Sequence, residues 1–172
     1  MKIILNELEN ISNTLNPEEI DVVVKLCTSG KFDKIVGFGA GRMGYALRAF
    51  IMRLCHIGFD AYMIGDTNFP KIDEKTLVLI NSSSGNTETM VLYAMQAKKF
   101  NGQVVTFTAN ASGSLNSVSD YLVTYQVNET KQIMKTVYEQ FSFILFDHIA
   151  ECIIQQSKRS RTWISSNHSI SE

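Results

Sequence analysis

Gly37-Phe38-Gly39-Ala40-Gly41-Arg42-Met43-Gly44 follows the apolar run Lys34-Ile35-Val36 and opens a helical pattern. Asn81-Ser82-Ser83-Ser84-Gly85-Asn86-Thr87 follows Leu77-Val78-Leu79-Ile80 and opens another. Glycines let backbone N–H groups converge without Cβ clashes. A helix N-terminus behind such a turn adds partial positive charge. The serine and threonine hydroxyls add further donors. Two such loops suit a phosphorylated small molecule held in one crevice.

Outward from these loops, strand and helix alternate. The first strand ends at Gly37, and its helix runs through Tyr45, Leu47, Phe50, Ile51 and Leu54 to Gly58. Strands are predicted over Phe59 to Ile64, Thr76 to Ile80, Val104 to Ala109 and Tyr121 to Val127. The third is apolar at consecutive positions, as a strand buried on both faces requires. Helices are predicted over Thr87 to Phe100 and roughly Ile133 to Gln156, with a short helical crossover at Ser114 to Ser119. Alternation of this kind implies an α/β fold with a parallel sheet and right-handed crossovers. Five strands predict the flavodoxin-like order 2-1-3-4-5, whose ligand crevice lies beyond the carboxyl ends of strands one and three. Those ends carry the two loops.

Upstream, Met1 to Leu15 repeats apolar residues at helical spacing. Asn16-Pro17-Glu18-Glu19 reads as N-cap, first helical proline and acidic first turn. The chain is therefore expected to be one domain over 1–172: helices in 1–32, an α/β core in 33–156, and a loose polar tail in 157–172. The two leading helices need a surface to cover, in their own core or on a second subunit.

Composition narrows the function. The 172 residues are 45% hydrophobic and 19% charged with a formal net charge of -1, which fits a globular chain and argues against a dedicated nucleic-acid binder. Cys27, Cys55 and Cys152 are far apart and lack Cys-x-x-Cys spacing, so neither a disulfide framework nor a zinc site is expected. No cluster has metal-ligand spacing, and no metal is expected. No apolar run has the roughly 18 residues of a membrane span, and the N-terminus lacks a signal-peptide pattern, so a cytoplasmic protein without membrane contact is expected.

The first loop also matches G-x-G-x-x-G between a strand and a helix, the context of a dinucleotide-binding turn. That reading wants an acid after the second strand, for which Asp66 is the candidate, and it leaves the serine loop unexplained. The glycines can instead serve a tight turn and close packing. Arg42 stands in the first turn of a helix, where a cation opposes the dipole. Contact with an anionic ligand explains it better than local stability does, although a solvated arginine is the plain alternative. In the second loop, Thr87 can cap the next helix, but capping does not require the serines.

Ser82-x-Ser84-Gly85-x-Thr87 resembles the phosphate loop of sugar isomerase (SIS) domains. The resemblance extends to Gly39-Ala40-Gly41-Arg42, to Ala49 through Phe59, and to Gln132-Ile133-Met134-Lys135-Thr136-Val137-Tyr138-Glu139-Gln140. These stretches are similar to the 6-phospho-3-hexuloisomerase branch of that family, as are His168 and Glu172 in the last residues. Met43 stands where the family usually has serine, Ile133 and Lys135 replace a proline and a small residue, and Val127 to Gln132 is shorter than the usual loop. The resemblance implies a homotetramer and a cofactor-free isomerase that interconverts a 3-hexulose 6-phosphate and fructose 6-phosphate through an enediol. It implies phosphosugar binding by Gly39, Gly41, Arg42, Ser82, Ser83, Ser84, Gly85 and Thr87, with Glu139 as proton-transfer base. Glu139 also suits a helix start for electrostatic reasons alone. His168 is the candidate second proton-transfer group, or else merely a histidine of a polar tail. His56 and His148 read as structural. A non-catalytic phosphosugar-binding or sensing protein on the same fold is the alternative function.

Overall fold

The strand β3, Thr76–Asn81, is the spine of the computed structural model, with all six residues buried. The structure describes residues 1–127, 129–158 and 160–167, and of Lys135 and Arg161 only the backbone. Around β3 stand β1 (Lys34–Gly39), β2 (Ala61–Met63), β4 (Gln103–Thr108) and β5 (Tyr121–Thr124). Every pairing is parallel, and the order is β2-β1-β3-β4-β5, as the alternation predicts. The helices are α1 (Lys2–Ser12), α2 (Pro17–Thr28), α3 (Gly41–Ile57), α4 (Glu88–Lys99), α5 (Val137–Ser157) and α6 (Arg161–Ser166).

Each face of the sheet buries its own cluster. On one, α1, α2, α3 and α5 cover Leu77, Leu79, Val105 and Phe107. There Phe146 of α5 stacks on Phe50 of α3 at 5.0 Å and meets Phe107 edge-on at 5.0 Å. On the other, Met90, Ala94 and Ala97 of α4 cover Val36, Val78, Ile80 and Val104. Alternate residues of β3 thus enter opposite cores, which is why its sequence is apolar without a break.

Helix ends follow the predicted signals. Asn16 accepts from Glu18 N at 3.0 Å and caps α2, with Pro17 in the first turn. Gly58 ends α3 in a left-handed conformation at φ 93°. The differences have local causes. β1 runs two residues past Gly37, because Gly39 still pairs with Asn81 in the ladder. β5 stops at Thr124 rather than Val127; beyond it Gln126 N donates to Thr14 Oγ1 at 3.0 Å, not to a strand. α5 starts at Val137, after a 3-10 turn at Ile133–Lys135 in which Met134 is left-handed at φ 53°. The tail expectation also needs correcting. Ser160 accepts from Trp163 N at 3.1 Å and starts α6, whose Ile164 is buried. Among the described residues, no helix is long and apolar enough to cross a membrane.

Candidate functional site

The carboxyl ends of β1, β3 and β4 open into a cleft of about 420 Å³. Its polar wall is Ser82, Ser83, Ser84, Asn86, Thr87 and Asn110, with Asn81 at its base. Apolar residues complete the lining: Ala40, Met43, Met90, Ala109, Val127 and Met134. No ionisable side chain lines it among the described residues.

The serine loop is shaped so that its donors face this space. Gly85 takes φ 66°, and its N–H donates to Ser82 O at 3.1 Å. A Cβ on Gly85 would approach Asn110 O at 3.0 Å, so glycine is required there for both conformation and packing. Two hydrogen bonds tie the loop to the stretch that follows β4. Asn110 Nδ2 donates to Ser84 O at 2.9 Å, and Asn86 Oδ1 accepts from Ser114 N at 2.8 Å. Thr87 occupies the N-cap position of α4, but its hydroxyl does not cap. It lies 3.3 Å from Ser82 Oγ instead. Two hydroxyls and the first amides of α4, which have no intrahelical acceptor, are thereby brought to one end of the cleft.

In the first loop, the predicted glycines do steric work. A Cβ on Gly44 would sit 2.3 Å from Gly39 O, and one on Gly39 would sit 2.7 Å from Gly44 Cα. Gly41 is left-handed at φ 54°. Their absent side chains let α3 start hard against β1, which presents Ala40 and Met43 to the cleft. Asp66 accepts from Met63 N at 2.9 Å and Arg48 Nη1 at 2.7 Å, so its carboxylate closes the turn after β2.

Arg42 and Glu139 do not line the serine cleft. Both line a neighbouring one of about 320 Å³, with Tyr45, Gln140 and Phe143. The first turn of α3 divides the two clefts, with Arg42 on one side and Met43 on the other. Arg42 Nε donates to Glu139 Oε1. The pairing is asymmetric: the Arg42 side chain is 66% exposed, that of Glu139 only 7%. Glu139 Oε2 is buried and takes no hydrogen bond from any described residue. A buried acceptor without a partner is uncommon, and a proton-transfer base needs such an unused lone pair. His168 lies outside the described residues.

A buried polar network that the sequence reading missed joins the loops to α5. Tyr138 Oη donates to Asn81 Oδ1 at 2.7 Å and also reaches Phe107 O at 3.0 Å. Asn81 Nδ2 donates to Met43 O at 3.0 Å. Tyr125 Oη lies 2.8 Å from Ser142 Oγ. Burial drives the Tyr138 and Tyr125 phenols well above their usual range, so both stay protonated donors. Asn81 thus ties the first loop to the residue beside Glu139. The available signals were its place at the end of the central strand and Tyr138 directly before the acid.

This geometry has relatives. Residues 35–146 match the SIS domain family. The chain belongs to that family. It is 33% identical over 155 residues to the 3-hexulose-6-phosphate isomerase of Bacillus subtilis, covering 85% of this chain and 83% of that one. A Methanococcus jannaschii hypothetical protein, whose crystal structure is described as inferring a 3-hexulose-6-phosphate isomerase function, superposes with a TM-score of 0.88 at 27% identity. That match covers 98% of this SIS chain and 96% of the other. An uncharacterized HTH-type transcriptional regulator of Clostridium perfringens is 25% identical over 138 residues, 75% of this chain but 48% of its own length.

Proposed function

We propose that the protein is a phosphosugar isomerase that moves the carbonyl between C2 of fructose 6-phosphate and C3 of a 3-hexulose 6-phosphate. The observation that carries this reading is the Ser82–Thr87 loop, set at the start of α4 and at the mouth of the cleft. Neutral hydroxyls and helix amides hold the phosphate. The sugar chain reaches past the first turn of α3 toward Arg42 and Glu139. Glu139 takes the proton from C3 of fructose 6-phosphate to give an enediolate, the hydroxyl proton passes from O3 to O2, and the same carboxyl returns its proton to C2 as C3 becomes the carbonyl. Arg42, already paired with Glu139 through Nε, turns the rest of its guanidinium toward the anionic substrate. C3 is oxidised as C2 is reduced, so there is no net redox change, and the route uses no cofactor. Titration calorimetry tests the binding half: fructose 6-phosphate binds and fructose does not. Equal binding of the two sugars contradicts a phosphate site.

A second reading is a phosphosugar-binding sensor without turnover. Two observations favour it: no described ionisable group lines the serine cleft, and one relative is named a transcriptional regulator. Under either reading, family membership suggests a homotetramer. Tyr45 on α3, Phe143 and Ile144 on α5, and Leu92 and Met95 on α4 are large exposed apolar side chains that association would cover. Sedimentation velocity measures the assembly directly, and a monomer at micromolar concentration contradicts it.

A further inference from the structure

The leading helices hold the segment that follows β5. Glu19 of α2 accepts from Thr124 N at 2.6 Å, and Thr14, just after α1, accepts from Gln126 N at 3.0 Å. The strongest tie is Glu7 of α1. Its Oε1 accepts from Lys131 N at 2.9 Å, and its Oε2 accepts from Thr130 Oγ1 at 3.0 Å and Gln132 Nε2 at 2.8 Å. One carboxylate thus fixes three successive residues more than a hundred positions away in sequence. The bonds from Gln132 and from the Lys131 amide hold its carboxyl below the usual range.

The same segment supplies part of the cleft. Val127 and Met134 are part of the apolar lining of the cleft that the serines also line. Met134 is left-handed with its side chain 89% exposed, so little core packing fixes it. Its turn is held on one side by Thr136, whose N–H and hydroxyl donate to Ile133 O at 3.0 and 2.7 Å, and on the other by the residues just before it, which rest on Glu7.

We propose that Glu7 is a positioning residue for the apolar wall of the cleft, setting ligand affinity through Met134 without touching the ligand. An ionised carboxylate, which accepts at both oxygens and donates at neither, can serve all three donors at once. A glutamine puts an N–H2 group against one of them, and the segment must shift. The claim about Met134 stands apart from the phosphosugar reading, and only the choice of ligand rests on that reading.

The test uses the full chain with 13C-methyl methionine, comparing wild type, Glu7→Gln and, as a control on the exposed side of α1, Glu9→Gln. Glu7→Gln moves the Met134 methyl signal, leaves that of buried Met63 in β2, away from the cleft, unchanged, and weakens fructose 6-phosphate binding on the order of tenfold. Glu9→Gln changes neither. Gln132→Leu, which removes one of the three donors, moves the Met134 signal in the same direction by less. A Met134 signal at its wild-type position in Glu7→Gln overturns the proposal. A displaced signal with unchanged affinity overturns its bearing on the ligand. Absence of fructose 6-phosphate binding to wild type contradicts the phosphosugar reading, and the Met134 signal then still decides the positioning claim.

Discussion

Glu139 carries more of the account than any other residue. It is buried, held through one oxygen by Arg42, and left with a second oxygen that no described residue satisfies. Glu139→Gln keeps the volume and removes the proposed base, so on the isomerase reading kcat for fructose 6-phosphate falls by about 10²–10⁴-fold. Calorimetry should find the phosphosugar still bound. On the other side of α3, Thr87→Val removes a hydroxyl that lies beside Ser82 rather than capping α4. Fructose 6-phosphate affinity then drops roughly tenfold, while the melting temperature stays near wild type. A large loss of Tm with unchanged affinity would mean that Thr87 serves the helix and not the ligand.

At the scale of elements, the fit between β1 and α3 has no slack. A methyl at Gly44 meets Gly39 O at 2.3 Å, backbone against backbone. Gly44→Ala therefore costs about 1–3 kcal/mol or more, as overpacking does, and urea unfolding measures it. Tyr138→Phe leaves Asn81 Oδ1 buried without its short donor, a loss of about 1–3 kcal/mol. The elements themselves were legible in the sequence, since period, caps and glycine stops are local signals. The order of the sheet was legible as well, because alternation leaves few topologies. Element ends were not. The end of β5 depends on Thr14, 112 residues from its partner Gln126, and the start of α5 on a left-handed Met134, a conformation that a methionine does not announce. In the same way the serine loop was readable as a candidate site, whereas Asn81, Asn110 and the methionines that line the cleft join it only through the fold.

Across the whole molecule, carboxylates tie distant parts together. Asp73 accepts from Lys34 Nζ at 3.0 Å, and that bond above all holds its carboxyl below the usual range. Glu7 is lowered in the same sense by Gln132 and Lys131. A group with a lowered folded pKa contributes stability that is complete above its unfolded value, 4.5 for Glu7 and 3.8 for Asp73. That contribution is lost as the pH falls through the lowered folded values. Thermal melts should thus hold steady from pH 7 to about 5 and decline below, with a shallower decline in Glu7→Gln. A Tm that rises on acidification would contradict these ties. The central claim is enediol chemistry in a phosphosugar site. Its most direct test is fructose 6-phosphate incubated with the protein in D2O and followed by NMR. The account predicts solvent deuterium at C3, abolished in Glu139→Gln. Tight binding with no exchange at any carbon would contradict it and leave a sensor.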